Sequence, residues 1–195
     1  TYSIRKFGST YKSFIEINFV DNPEYKDIFS KGYSPEEVIK RISFHNPNFL
    51  FLPGETLIFF DELQEFPDCS ACLKFFAEDG RFDVICSGSL LGISYKRIQS
   101  NSVGYKTDYE MSSLDFEEFL WAKGYETAPD EMLAKMKDGK PFTELEHRVY
   151  SDLFRDFCIT GGMPAIVSSY LQKGTFEGIL EMQKQLILNY EEDVK

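Results

Sequence analysis

The spacing of apolar residues along this chain shifts from a period of two to a period near four. Phe14-Ile-Glu-Ile-Asn-Phe19 alternates apolar and polar positions and predicts a strand, broken by Asp21-Asn-Pro23. Residues 24–30 and 35–45 predict helices. The second opens at Ser34-Pro35-Glu-Glu37: Ser34 can cap it, Pro35 suits its first position, and the two acids favour its N-terminal dipole. Pro53-Gly-Glu55 turns into a strand at Thr56–Phe60. A helix over 68–79 follows Pro67 and closes at Gly80. Phe82-Asp-Val-Ile-Cys86 predicts another strand, ending in Ser87-Gly-Ser89. Tyr105–Met111 alternates again and predicts a fourth strand. From Asp115 onward the pattern is helical, at 115–123, 129–137, 143–158, 164–172 and 175–192.

Strand, helix, strand, helix, strand implies crossover connections and a largely parallel sheet in an α/β fold. The apolar runs at 57–60 and 84–86 suit strands covered on both faces. The composition shift near 125–130 divides a sheet-like part, 1–125, from a helical part, 126–195. At 195 residues the chain matches one α/β domain with a small appendage. Its 43% hydrophobic and 16% aromatic content supports a packed core rather than disorder.

The formal net charge of −11 repels phosphate backbones, so sequence-independent nucleic-acid binding by this segment is disfavoured. Cys69-Ser-Ala-Cys72 has metal-pair spacing, but a zinc site needs two more ligands. No second Cys-x-x-Cys exists, and His45 and His147 are isolated, so reduced thiols are the expectation. No apolar run reaches ~18 residues and no signal peptide is visible. The expectation is therefore a cytoplasmic protein with no membrane partner. The chain begins at Thr1 rather than Met, so its natural N-terminus is expected upstream.

Candidate chemistry concentrates in Thr56-Leu-Ile-Phe-Phe-Asp-Glu-Leu-Gln64, an apolar run that ends on two adjacent carboxylates. In open parallel sheets ligands bind beyond the carboxyl ends of the strands. Asp61 and Glu62 would project there. Metal-assisted phosphoryl transfer needs such a pair: one acid to hold Mg²⁺ directly or through water, one to polarise the attacking water. Ser87 ends the next strand and would bring a hydroxyl to the same place. Two plainer readings stand beside this one. Strand-terminal acids also cap helices or face solvent, and Gly-Ser stretches usually make turns.

The same residues resemble a known family. Leu57-Ile-Phe-Phe-Asp-Glu-Leu-Gln64 resembles the Walker B segment of P-loop ATPases of the AAA+ superfamily. Leu73 to Gly92 is similar to the sensor-1 region of one branch. That branch is the prokaryotic AAA-type ATPases, related to archaeal ATPases, that carry an uncharacterised C-terminal domain with nuclease-like features. Leu114-Asp-Phe-Glu-Glu-Phe-Leu-Trp-Ala122, Gly161-Gly-Met-Pro164 and Tyr190-Glu-Glu-Asp193 also resemble it. The likeness spans about residue 12 to 195.

The resemblance implies a three-layer αβα P-loop NTPase-type core and a small helical lid, for which a winged-helix-like arrangement is one option. It implies Mg-ATP as cofactor, with ATP binding and hydrolysis driving conformational change in a larger protein. Asp61 would be the Mg²⁺-associated acid and Glu62 the water-activating residue. Ser87 would be the sensor-1 residue, with Ser89 as the competing assignment. The family's phosphate loop, Gly-x-x-x-x-Gly-Lys-Ser/Thr, occurs nowhere in these residues. Thr1-Tyr-Ser-Ile-Arg-Lys-Phe7 resembles the family's first helix, which would make Thr1 the last residue of that loop and its hydroxyl a Mg²⁺ ligand. The first strand and the phosphate-binding Lys are then expected upstream, and this fragment alone is expected to be inactive.

Arg148 and Arg155 are candidates for phosphate sensing in the lid, and Arg97 for a finger reaching a neighbouring subunit. Solvated helix faces are the plainer account of Arg148 and Arg155. Many relatives show Gly-Arg where this chain has Gly104-Tyr105, which weakens the inter-subunit idea. Tyr105 and Tyr109 could stack a base, with packing as the plainer reading. Self-association and DNA or protein targets stay open. So do two other function classes: a non-catalytic interaction module on a degenerate ATPase fold, and a metal-dependent nuclease using Asp61 and Glu62.

Overall fold

The computed structural model describes residues 1–88 and 104–193. The chain forms two compact units, Thr1–Tyr109 and Glu110–Lys195. The division lies upstream of the composition shift near 125–130, because Leu114 and the helix after it pack with the later helices.

The first unit is built on three parallel strands in the order β1 (Ser13–Asn18), β2 (Thr56–Asp61), β3 (Asp83–Cys86). The registers pair Ser13 with Thr56, Asn18 with Asp61, Leu57 with Asp83 and Phe60 with Cys86. Helix α1 (Tyr2–Gly8) precedes β1; α2 (Pro35–His45) and α3 (Cys72–Asp79) occupy the crossovers. Every residue of β2 is buried, as its unbroken apolar run requires of a central strand covered on both faces. Ile15, Ile17, Ile58 and Phe60 share one face and pack with Ile28, Val38, Ile42, Cys72 and Phe76. Phe59 lies on the other face, stacked on Phe14 at 6.2 Å between ring centroids. Gly8 ends α1 directly over Phe14: a Cβ there would stand 2.3 Å from the Phe14 ring, so only glycine lets the helix approach. Helices thus cover both faces of a parallel sheet, the layered α/β arrangement expected.

Several local details differ from the expectations. Residues Pro23–Phe29 form a 3₁₀ rather than an α-helix, and a further 3₁₀ turn, Pro67–Ala71, precedes α3. Ser34 makes no side-chain cap; its hydroxyl donates to Glu36 at 3.1 Å. Residues 105–111 are not a strand. They are exposed along their length and make no ladder, because alternation alone does not supply a pairing partner. Tyr109 is therefore not on a strand face, and Tyr105 lies with the Lys74 ammonium 5.5 Å from its ring centre.

The second unit is helical: α4 (Phe116–Ala122), α5 (Ala128–Asp138), α6 (Glu144–Thr160), α7 (Pro164–Lys173) and α8 (Ile179–Asp193). No strand occurs among its described residues, so the winged-helix option has no wing here. Capping boxes start two of the helices. Asp115 accepts from the Glu118 amide at 2.9 Å, and Thr143 accepts from the Glu146 amide at 3.3 Å. Phe119 packs with Ile166, Val167, Tyr170 and Ile179, and Leu120 with Ala128 and Leu153, so α4 joins two small cores. The Gly161-Gly162 turn meets the chain just before α4: Leu114 donates its amide to the Gly162 carbonyl at 2.8 Å.

Candidate functional site

The carboxyl ends of all three strands meet at Asp61. It is the last residue of β2 and only 3% exposed. Both of its oxygens accept hydroxyl protons. Thr1 Oγ1 donates to Oδ2 at 2.9 Å, and Ser87 Oγ donates to Oδ1. Asn18, its register partner at the end of β1, brings Nδ2 to 3.5 Å from Oδ2. A buried carboxylate without such partners would be costly; these donors satisfy it.

Each partner is held by local structure. Thr1 precedes α1, and its side chain turns to Asp61 instead of capping its own helix. Farther along α1, Arg5 grips Glu16 of β1 with two donors, at 2.8 and 2.6 Å, which ties the helix to the sheet. That carboxylate raises the already high Arg5 pKa. Asn18 accepts the Val20 and Asp21 amides at 2.8 and 3.1 Å, which fixes its side chain. Ser87 extends the β2–β3 ladder, donating its amide to Phe60 O at 2.9 Å and accepting from the Leu63 amide at 2.9 Å.

Glu62 follows directly, in a left-handed backbone conformation (φ 58°, ψ 48°). Among the described residues no other non-glycine has positive φ. Its carboxylate accepts from Gln64 Nε2. Strained backbone of this kind costs about 1–2 kcal/mol and concentrates at functional sites.

Of the residues singled out by sequence, Thr1, Asp61 and Ser87 are therefore hydrogen-bonded together, with Glu62 adjoining. Ser89 and Arg97 lie outside the described residues. Arg155 pairs with Asp152 at 2.8 Å and is largely solvated, and Arg148 is exposed on the same helix. Two residues escaped the sequence reading. Asn18 could have been found from strand alignment, since it ends the neighbouring strand. Gln64 had no signal beyond its place two residues after Glu62.

The donor set at Asp61 is all oxygen apart from the Asn18 amide: one carboxylate and two hydroxyls. Such a set suits a hard cation like Mg²⁺, which binds through one or two carboxylates, keeps several waters and shares substrate phosphates. Among the described residues no group of three His, Cys, Asp or Glu side chains could hold a metal. Cys69 and Cys72 are buried free thiols, and burial pushes the Cys69 thiol well up.

A family model described as an AAA domain matches residues 1–120. The chain belongs to the AAA domain family. No curated protein matches it. The AAA domain assignment makes this coarsely a nucleotide-binding, ATPase-like protein. It covers the whole of the sheet unit and extends through most of α4. No helix of the described AAA domain chain is long and apolar enough to cross a membrane.

Proposed function

We propose that Asp61 and Glu62 are the Walker B pair of an AAA+-type ATPase that uses Mg-ATP hydrolysis to drive conformational change in a larger protein. The observation that carries this reading is the convergence of the Thr1 and Ser87 hydroxyls on the two oxygens of buried Asp61, at the carboxyl edge of a parallel sheet. In this reading Thr1 and Asp61 hold the cation. Mg²⁺, when bound, neutralises charge on the nucleotide phosphates. Glu62 accepts a proton from the water that attacks the γ-phosphorus, and the bond to the ADP oxygen breaks to leave ADP and inorganic phosphate. Ser87, bonded to Asp61, reports the state of the phosphates to β3.

The finer placement, in the branch related to archaeal ATPases with a nuclease-like C-terminal domain, rests on the motifs near Leu114, Gly161 and Tyr190. It would put the target, DNA or protein, in the hands of regions other than this core. The alternative is a non-catalytic module on the same fold, which would bind no Mg-ATP.

Turnover and Mg-ATP affinity of Glu62→Gln in the full-length gene product separate the two. The ATPase reading expects affinity within about twofold of wild type and turnover lowered by about 100-fold or more. Undiminished turnover in Glu62→Gln would overturn it, and absence of Mg-ATP binding by the wild type would favour the non-catalytic module.

A further inference from the structure

We propose that Gln64 is a positioning residue that fixes the Glu62 carboxylate through its side-chain amide; this rests on Glu62 being the water-activating acid.

A general base on a glutamate has three side-chain torsions to restrain before it can meet a water in one geometry. The turn after β2 supplies that restraint. Residues two apart in a right-handed helical turn do not face each other. The left-handed backbone at Glu62 changes the direction of the chain, and Gln64 Nε2 then donates to Glu62 Oε2. Leu63 lies between them and is 5% exposed, packed into the sheet core, so the turn is anchored from below. Its amide donates to Ser87 O at 2.9 Å, and Glu65 and Phe66 close the turn through amides 3.0 Å from the Glu62 and Leu63 carbonyls.

The strand end opposite is shaped to admit Gln64. A Cβ on Gly88 would lie 2.8 Å from Gln64 Oε1 and 3.2 Å from the Leu63 amide nitrogen. A side chain at residue 88 would therefore crowd the Leu63 amide and make the end of the Gln64 side chain shift. Ser87, which holds Asp61, and Gly88, which admits Gln64, are consecutive. The two residues that follow β3 thus lie beside Asp61 and Gln64. Gln64 is suited chemically to position without competing. Its amide donates to one carboxylate oxygen and takes up no proton at ordinary pH, which leaves the proton-accepting role to Glu62.

The test uses the full-length gene product and three variants: Gln64→Met, which keeps the side-chain length and removes the donor, Glu62→Gln, and the double variant. Gln64→Met is expected to lower kcat about tenfold, with KM and Mg-ATP affinity within about twofold of wild type. The double variant is expected to be no slower than Glu62→Gln, because the two residues act as one unit. An independent readout is the Gln64 side-chain amide signal in ¹H–¹⁵N spectra without nucleotide, which should shift in Glu62→Ala. If Glu62→Gln is inactive while Gln64→Met turns over normally, the positioning role fails alone. If Glu62→Gln turns over normally, the reading of Glu62 fails and the role with it. An unmoved Gln64 amide signal in Glu62→Ala would overturn the contact itself.

Discussion

Replacing Glu62 by glycine and by alanine should reverse the usual order of stability between those two residues. At an exposed position in a right-handed helix, such as Lys40 in α2, alanine is more stabilising by about 1 kcal/mol. Glycine there costs backbone entropy and gains nothing. At Glu62, φ is 58° and ψ 48°, where a Cβ crowds the following carbonyl and costs about 1–2 kcal/mol. Glycine removes that cost but loses about 0.4–1 kcal/mol through its freer unfolded chain. The difference leaves Glu62→Gly more stable than Glu62→Ala by about 0.5 kcal/mol. Relative to the Lys40 pair, the swing is about 1.5 kcal/mol in total. Urea unfolding of the four variants, followed by circular dichroism, measures it as midpoint shifts at constant m. Alanine more stable than glycine at both sites would refute the left-handed turn, and with it the way Gln64 reaches Glu62.

Three further outcomes follow from the geometry. Gly162→Ala should destabilise the helical unit by about 2–4 kcal/mol in thermal unfolding, since its Cβ would sit 2.0 Å from the Leu114 carbonyl oxygen; unchanged melting would mean that the Leu114 segment moves aside freely. Glu146 is held down to a pKa of about 2, first by Lys135 at 2.7 Å and then by the Thr143 amide and hydroxyl. A lowered folded-state pKa contributes stability present above the unfolded carboxyl value of 4.5 and lost as pH falls toward 2, so the stability gap between wild type and Glu146→Gln should shrink across that window; a gap independent of pH would contradict the pairing. Cys158 should react quickly with a thiol reagent, while Cys69 and Cys72 react only on unfolding; fast labelling of all three would contradict the packing of α3.

The sheet and most helices were legible because their signals are local. The run Thr56–Phe60 suited a doubly covered strand, and it became β2 with every residue buried. Pro35 with Glu36 and Glu37 placed the start of α2, although Ser34 chose Glu36 over the helix amides. The proximity of Asp61 and Ser87 was anticipated from the rule that sites lie at strand carboxyl ends, and that of Thr1 only from the family resemblance. What sequence could not carry is contact between distant backbones. Nothing in Gly162 announces that the Leu114 carbonyl fills the space of its Cβ, and nothing in Gly88 announces Gln64. Tyr105–Met111 failed for the converse reason: a strand pattern forms a strand only where a neighbour offers a ladder. The left-handed turn at Glu62 was invisible because glycine or asparagine, the usual signals of positive φ, is absent there.

If Asp61 organises a Mg-nucleotide site, as proposed, its loss must weaken Mg-ATP binding. Calorimetric titration of Mg-ATP into the full-length gene product and its Asp61→Asn variant tests it most directly. Wild-type binding should weaken when Mg²⁺ is chelated, and Asp61→Asn should bind about tenfold or more weakly, since an amide holds the cation poorly. Binding of equal strength in both proteins, indifferent to Mg²⁺, would contradict it.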